Sequence, residues 1–72
     1  MIRNKLFDLR HSHKMNQTEF AKFLNIALNQ YNRYEHNIIQ PNLETVFKIC
    51  NKLEVSIYEL IEYIPENKDV PE

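Results

Sequence analysis

Apolar side chains recur along the chain in short groups spaced three and four residues apart, and polar runs separate the groups. Leu6 and Leu9, with Ile2 and Phe7, predict the inner face of a first helix over residues 3–12. Phe20, Ala21, Leu24 and Ile26, then Tyr31 and Tyr34, predict two short helices joined by a tight turn between residues 16 and 37, the small Ala21 allowing close approach. Leu43, Val46, Phe47, Cys50 and Leu53 predict the buried stripe of a later helix. The boundaries carry their own signals. Asn16 can cap the second helix with Glu19 closing a capping box, and Met15 with Phe20 forms a hydrophobic staple. Pro41-Asn42 opens the fourth helix, and Ser56 with Glu59, flanked by Val55 and Leu60, repeats the pattern before the last.

The face of the third helix that this pattern leaves outside carries Leu28, Asn29, Asn32, Arg33 and His36. Amide and guanidinium groups form paired hydrogen bonds with base edges, so this face has the chemistry to read a DNA major groove. Leu28 has no hydrogen-bonding group and suits a thymine methyl.

Size and charge narrow the reading. A chain of 72 residues makes one small domain whose core supplies only a few kcal/mol, which favours a mostly helical bundle and a partner subunit. The single cysteine, Cys50, closes no disulfide and reads as a small buried hydrophobe, and no Cys/His zinc spacing occurs. His11 and His13 have no carboxylate or cysteine nearby in sequence to complete a metal site, so no metal and no cofactor is expected. No apolar run is long enough to span a membrane and no signal-peptide core is seen, so the expected compartment is the cytoplasm. The net charge of −1 is unevenly spread. Residues 1–52 hold eight basic and four acidic side chains, a balance of +4, whereas residues 53–72 hold one and six, a balance of −5. Such polarity orients a domain on a polyanion; it also describes an ordinary solvated acidic tail.

The run from Gln17 through Ala21 to Tyr31-Asn32-Arg33-Tyr34-Glu35 resembles the helix-turn-helix of lambda-repressor-like (XRE-type) regulators, and the segments after Pro41 and Leu53 resemble that family's fourth and fifth helices. The resemblance covers about residues 2–62 and implies an all-α, five-helix DNA-binding domain over residues 1–64, with its helix-turn-helix at 16–37 and a frayed acidic tail at 65–72. It also implies that Arg10 pairs with Glu35, tying the first helix to the recognition helix. Two departures stand out. Asn25 and Asn37 occupy places where the family usually has glycine, in a chain with no glycine, and asparagine is the side chain that best tolerates positive φ there. Ala27 stands where a serine or threonine cap is usual, at a cost of about 1 kcal/mol.

On this reading Leu28, Asn29, Asn32 and Arg33 contact bases, while Asn16, Gln17, His36, Asn42 and the backbone of 38–40 contact phosphates. Short family members similar to the cytolysin operon repressor pair their ends as a small antiparallel ribbon at a subunit interface. By that resemblance the ends here form such a ribbon, with Ile2, Ile57, Ile61, Tyr63 and Ile64 as the dimer contact; the alternative is a frayed end and dimerisation only on DNA. No phosphate loop or catalytic constellation suggests an enzyme, and no small-molecule ligand is evident. The expected partner is double-stranded DNA, bound as a homodimeric repressor; the competing reading is an antitoxin-like protein-interaction module with secondary DNA binding.

Overall fold

Among the described residues five helices surround one apolar core, and residues 2–4 and 61–63 pair beside it as a ribbon. The computed structural model describes residues 1–66; residues 67–72, most of the acidic tail, lie outside the described residues. In chain order the elements are β1 (Ile2–Asn4), α1 (Leu6–Ser12), α2 (Gln17–Phe23), α3 (Leu28–Glu35), α4 (Leu43–Leu53), α5 (Ile57–Leu60) and β2 (Ile61–Tyr63). β1 and β2 are antiparallel, with Ile2 opposite Tyr63, Arg3 opposite Glu62 and Asn4 opposite Ile61.

The core is assembled from Leu6, Phe20, Ala21, Tyr31, Tyr34, Val46, Ile49, Cys50, Leu53 and Leu60, so every helix contributes. Phe20 of α2 meets Tyr31 of α3 edge-on, with centroids 5.8 Å apart, and this pair fixes how the two helices cross. Leu24 and Ile26 pack on the same cluster half-buried. Burial also pushes the Cys50 thiol above its ordinary pKa, with Glu59 adding to the shift, as befits a packing residue and not a nucleophile.

Several elements depart from the periodic pattern. The first helix begins at Leu6, not at residue 3, because Arg3 and Asn4 pair with β2 and cannot also bond along a helix. Ile2 and Phe7 are accordingly not core residues; each is about half exposed. Phe7 instead lies 5.6 Å from the Arg10 guanidinium and 4.3 Å from the His11 ring, shielding a charged group rather than filling the core. On α4 the inward stripe is rotated from the expected one. Val46, Ile49, Cys50 and Leu53 are buried, whereas Leu43 and Phe47 stand exposed. Ile49 completes a 46, 49, 50, 53 stripe, and a helix this short has room for only one such face.

Turn chemistry follows from the absence of glycine. Asn25 and Asn37 adopt φ of 60° and 58°, and Lys14 and Glu54 join them at 57° and 58°. Asn16 accepts from the Glu19 N–H at 2.8 Å while the Glu19 carboxylate accepts from the Asn16 N–H at 2.9 Å, the full capping box. Asn42 caps α4 through the Thr45 N–H at 2.8 Å, and the Glu59 carboxylate accepts from Ser56 N–H at 3.0 Å. At Ala27 no side chain caps α3. No helix among the described residues is long and apolar enough to cross a membrane.

Candidate nucleic-acid interface

Because Tyr31, Tyr34 and Glu35 face inward, the 3.6-residue period turns Leu28, Asn29, Asn32, Arg33 and His36 outward on α3. Leu28, Asn29, Asn32 and Arg33 line one shallow depression, joined there by Gln17 from the start of α2 and by Ile38. Two helices thus present a single polar surface edged by Leu28 and Ile38, the latter 69% exposed. A second depression lies between the ribbon, α1 and the end of α3. It is lined by Arg3, Lys5, Arg10, Gln17 and His36 together with the acidic Asp8, Glu35 and Glu62.

Beneath this surface lies the group that holds α3 in place. Glu35 is 6% exposed, and Arg10 meets it with two parallel bonds, Nε to Oε1 at 2.8 Å and Nη2 to Oε2 at 3.0 Å. The remaining capacity of the pair is also used. The Tyr31 hydroxyl donates to Oε1, Gln17 Nε2 donates to Oε2 at 3.1 Å, and Arg10 Nη1 donates to the Met15 carbonyl at 3.0 Å. Burial alone would raise the Glu35 carboxyl, but donation from Arg10, Tyr31 and Gln17 outweighs it and holds the pKa at about 2, below its usual 4.5. The hydrogen bond to Glu35 raises Arg10, and burial followed by the bond to Glu35 raises the Tyr31 phenol. At neutral pH the cluster is a charged pair with a neutral phenol against it.

Gln17 extends the cluster to the outer surface. Its Oε1 accepts from Asn32 Nδ2 at 3.0 Å, so a bonded chain runs from Arg10 through Glu35 and Gln17 to Asn32. Gln17 therefore orients a surface amide as well as standing at a helix start, a role its sequence position alone did not reveal. Asn16 and Asn42 spend their side-chain oxygens on capping, which leaves their amide N–H groups to donate outward. The His36 ring nitrogen Nδ1 lies 2.8 Å from the Asn32 carbonyl, fastening that side chain to the last turn of α3.

Asn4 and Gln40 are structural partners that periodicity missed. Asn4 is 5% exposed and bonds to α3 from the ribbon, across thirty residues of sequence. By spacing Asn4 falls inside the first helix, where a polar residue ahead of Leu6 carries no signal of a buried role.

A sequence comparison with known families decides what this arrangement is: residues 6–60 match the helix-turn-helix family profile. The chain belongs to the XRE-type helix-turn-helix family. This helix-turn-helix chain is 36% identical over 69 residues to the cryptic phage CTXphi transcriptional repressor RstR of Vibrio cholerae, across 96% of its own length and 62% of the relative's. It is also 33% identical over 61 residues to the antitoxin PezA of Streptococcus pneumoniae serotype 4, across 85% of its own length and 39% of that relative's. The chain spans less than two thirds of the length of either relative. The matched stretch runs from the start of α1 to the end of α5.

Proposed function

We propose that the protein is a sequence-specific repressor which lays the N-terminal half of α3 in the major groove and binds a palindromic operator as a homodimer. The observation that carries this reading is the gathering of Leu28, Asn29, Asn32 and Arg33 in one exposed depression on a helix whose other face is locked by Glu35. Arg33 is the guanine reader, Asn29 and Asn32 suit adenine, and Leu28 meets a thymine methyl. Asn16, Gln17, His36, Asn42 and the backbone of 38–40 bind the flanking phosphates and set the register, with Arg3 and Lys5 adding positive charge on the same side. Selection from a random DNA pool, followed by titration at several salt concentrations, tests it. Discrete sites bound with a steep salt dependence are expected, whereas weak binding indifferent to sequence would remove the repressor reading. That second result would favour the antitoxin-like reading, which the PezA relative keeps in view.

The ribbon supports a dimer contact at this edge of the domain. Ile2 and Tyr63 face each other across it; Ile57, Tyr58, Ile61 and Tyr63 line a mostly apolar depression together with Glu62, and Ile64 is 37% exposed. A two-stranded ribbon is marginal by itself, and covering this face with a second copy would stabilise it. Two copies so related would place their recognition helices on half-sites about 34 Å apart. Tyr63 is 66% exposed, so Tyr63→Glu should leave the fold intact while shifting sedimentation from dimer to monomer. A Tyr63→Glu protein that still sediments as a dimer would place the interface elsewhere.

A further inference from the structure

Three side-chain amides close a ring between the terminal ribbon and the end of the recognition helix. Asn4 Nδ2 donates to the Tyr34 carbonyl at 2.7 Å and to Gln40 Oε1 at 2.7 Å. Gln40 Nε2 donates to Asn37 Oδ1 at 2.7 Å, and Asn37 Oδ1 also accepts from the Asn4 backbone N–H at 2.8 Å. The ring reaches further at both edges. Asn4 Oδ1 accepts from Leu6 N–H at 3.1 Å, starting α1 where Lys5 provides no cap, and Gln40 Nε2 lies 3.3 Å from the Ile2 carbonyl.

The placement matters because the Tyr34 carbonyl lies in the last turn of α3, where it accepts from the Asn37 backbone N–H at 2.9 Å as well as from Asn4. Asn37 lies two residues beyond the end of α3, at φ 58°. A glycine would adopt that backbone more easily still; what the asparagine adds to its tolerance of positive φ is a side-chain oxygen, the acceptor at the centre of the ring. We propose that Asn4, Asn37 and Gln40 are positioning residues which couple the order of the terminal ribbon to the orientation of the recognition helix. Pairing of β1 with β2 holds Asn4 in place, Asn4 holds the last turn of α3, and α3 presents Asn32 and Arg33 to DNA. Any contact that orders the ribbon, a second copy above all, then favours the reading geometry. The inference rests on the DNA-binding reading only for its effect on affinity.

Asn37→Gly separates the ring from the turn, since it removes the acceptor and eases the positive φ. For a purely structural asparagine the variant should match or exceed the wild type in both melting temperature and affinity. For a positioning residue it should melt near the wild type yet bind a selected site about tenfold more weakly, the order of effect of one or two lost part-buried hydrogen bonds. The ratio of specific to non-specific affinity should fall while the salt slope stays, because no phosphate contact is lost. Amide exchange gives an arm independent of DNA. Asn4→Ala should speed exchange at Asn37 and Ile38, Asn37→Gly should speed it at Asn4, and Asn37→Asp, which keeps the acceptor, should restore protection at Asn4. Unchanged exchange at these amides, or wild-type affinity and discrimination in Asn37→Gly, would overturn the coupling. Failure of the wild type to bind any DNA would instead remove the functional reading and with it the affinity effect, leaving exchange to decide whether the ribbon and α3 are coupled.

Discussion

Glu35→Gln should destabilise the domain by about 3–5 kcal/mol, enough to leave much of a chain this small unfolded. The carboxylate accepts from Arg10 twice, from Tyr31 and from Gln17. A glutamine keeps one oxygen and turns an NH2 toward donors, so a guanidinium only 13% exposed at its side chain loses its counter-charge. Urea unfolding checks the magnitude, and a loss below about 1 kcal/mol would mean the pair is solvated and structurally minor. Replacing the cluster together, as Arg10→Met with Tyr31→Phe and Glu35→Leu, should recover much of the stability, because no buried polar group is then orphaned. The same cluster predicts an acid limit. Glu35 is depressed from 4.5 to about 2, so its contribution is complete above about pH 4.5 and disappears as pH falls toward about 2. Thermal melts of the wild type should show that loss in this window.

Arg33→Ala should weaken operator binding by about 1–3 kcal/mol per half-site, and twice that on a two-fold site where both copies carry the change. Arg33 is exposed on α3 beside Asn29 and Asn32, and no hydrogen bond or ion pair within the described residues engages its guanidinium. It can therefore turn toward a base without breaking an internal contact. Site selection with the variant should show one position relaxed in each half-site, and the salt slope should change little because a base contact is lost and not a phosphate. An unchanged preference profile would take Arg33 off the reading surface.

Much of this protein was determined locally, and those parts were legible. A capping box involves residues three apart, so Asn16 and Glu19 announce the start of α2 whatever surrounds it. A helical stripe repeats within four residues, so the inward tyrosines of α3 and its outward polar face follow from spacing. Positive φ is a single-residue property, and asparagine at 25 and 37 in a chain without glycine signals it.

What spacing left open was decided by contacts between residues far apart. A helix and a strand compete for Arg3 and Asn4, and only the presence of β2 nearly sixty residues later settles the matter. Spacing puts Leu43 and Phe47 on the inward stripe of α4 and leaves Ile49 out; α5 and the core choose the side on which the helix lies. The same holds for the polar groups. That Gln17 holds Asn32, and that Asn4 is a buried link between the ribbon and α3, depends on which donors and acceptors tertiary packing removes from water. Once removed, each must find a partner within the protein, and that demand belongs to the folded structure, not to any one stretch of the chain.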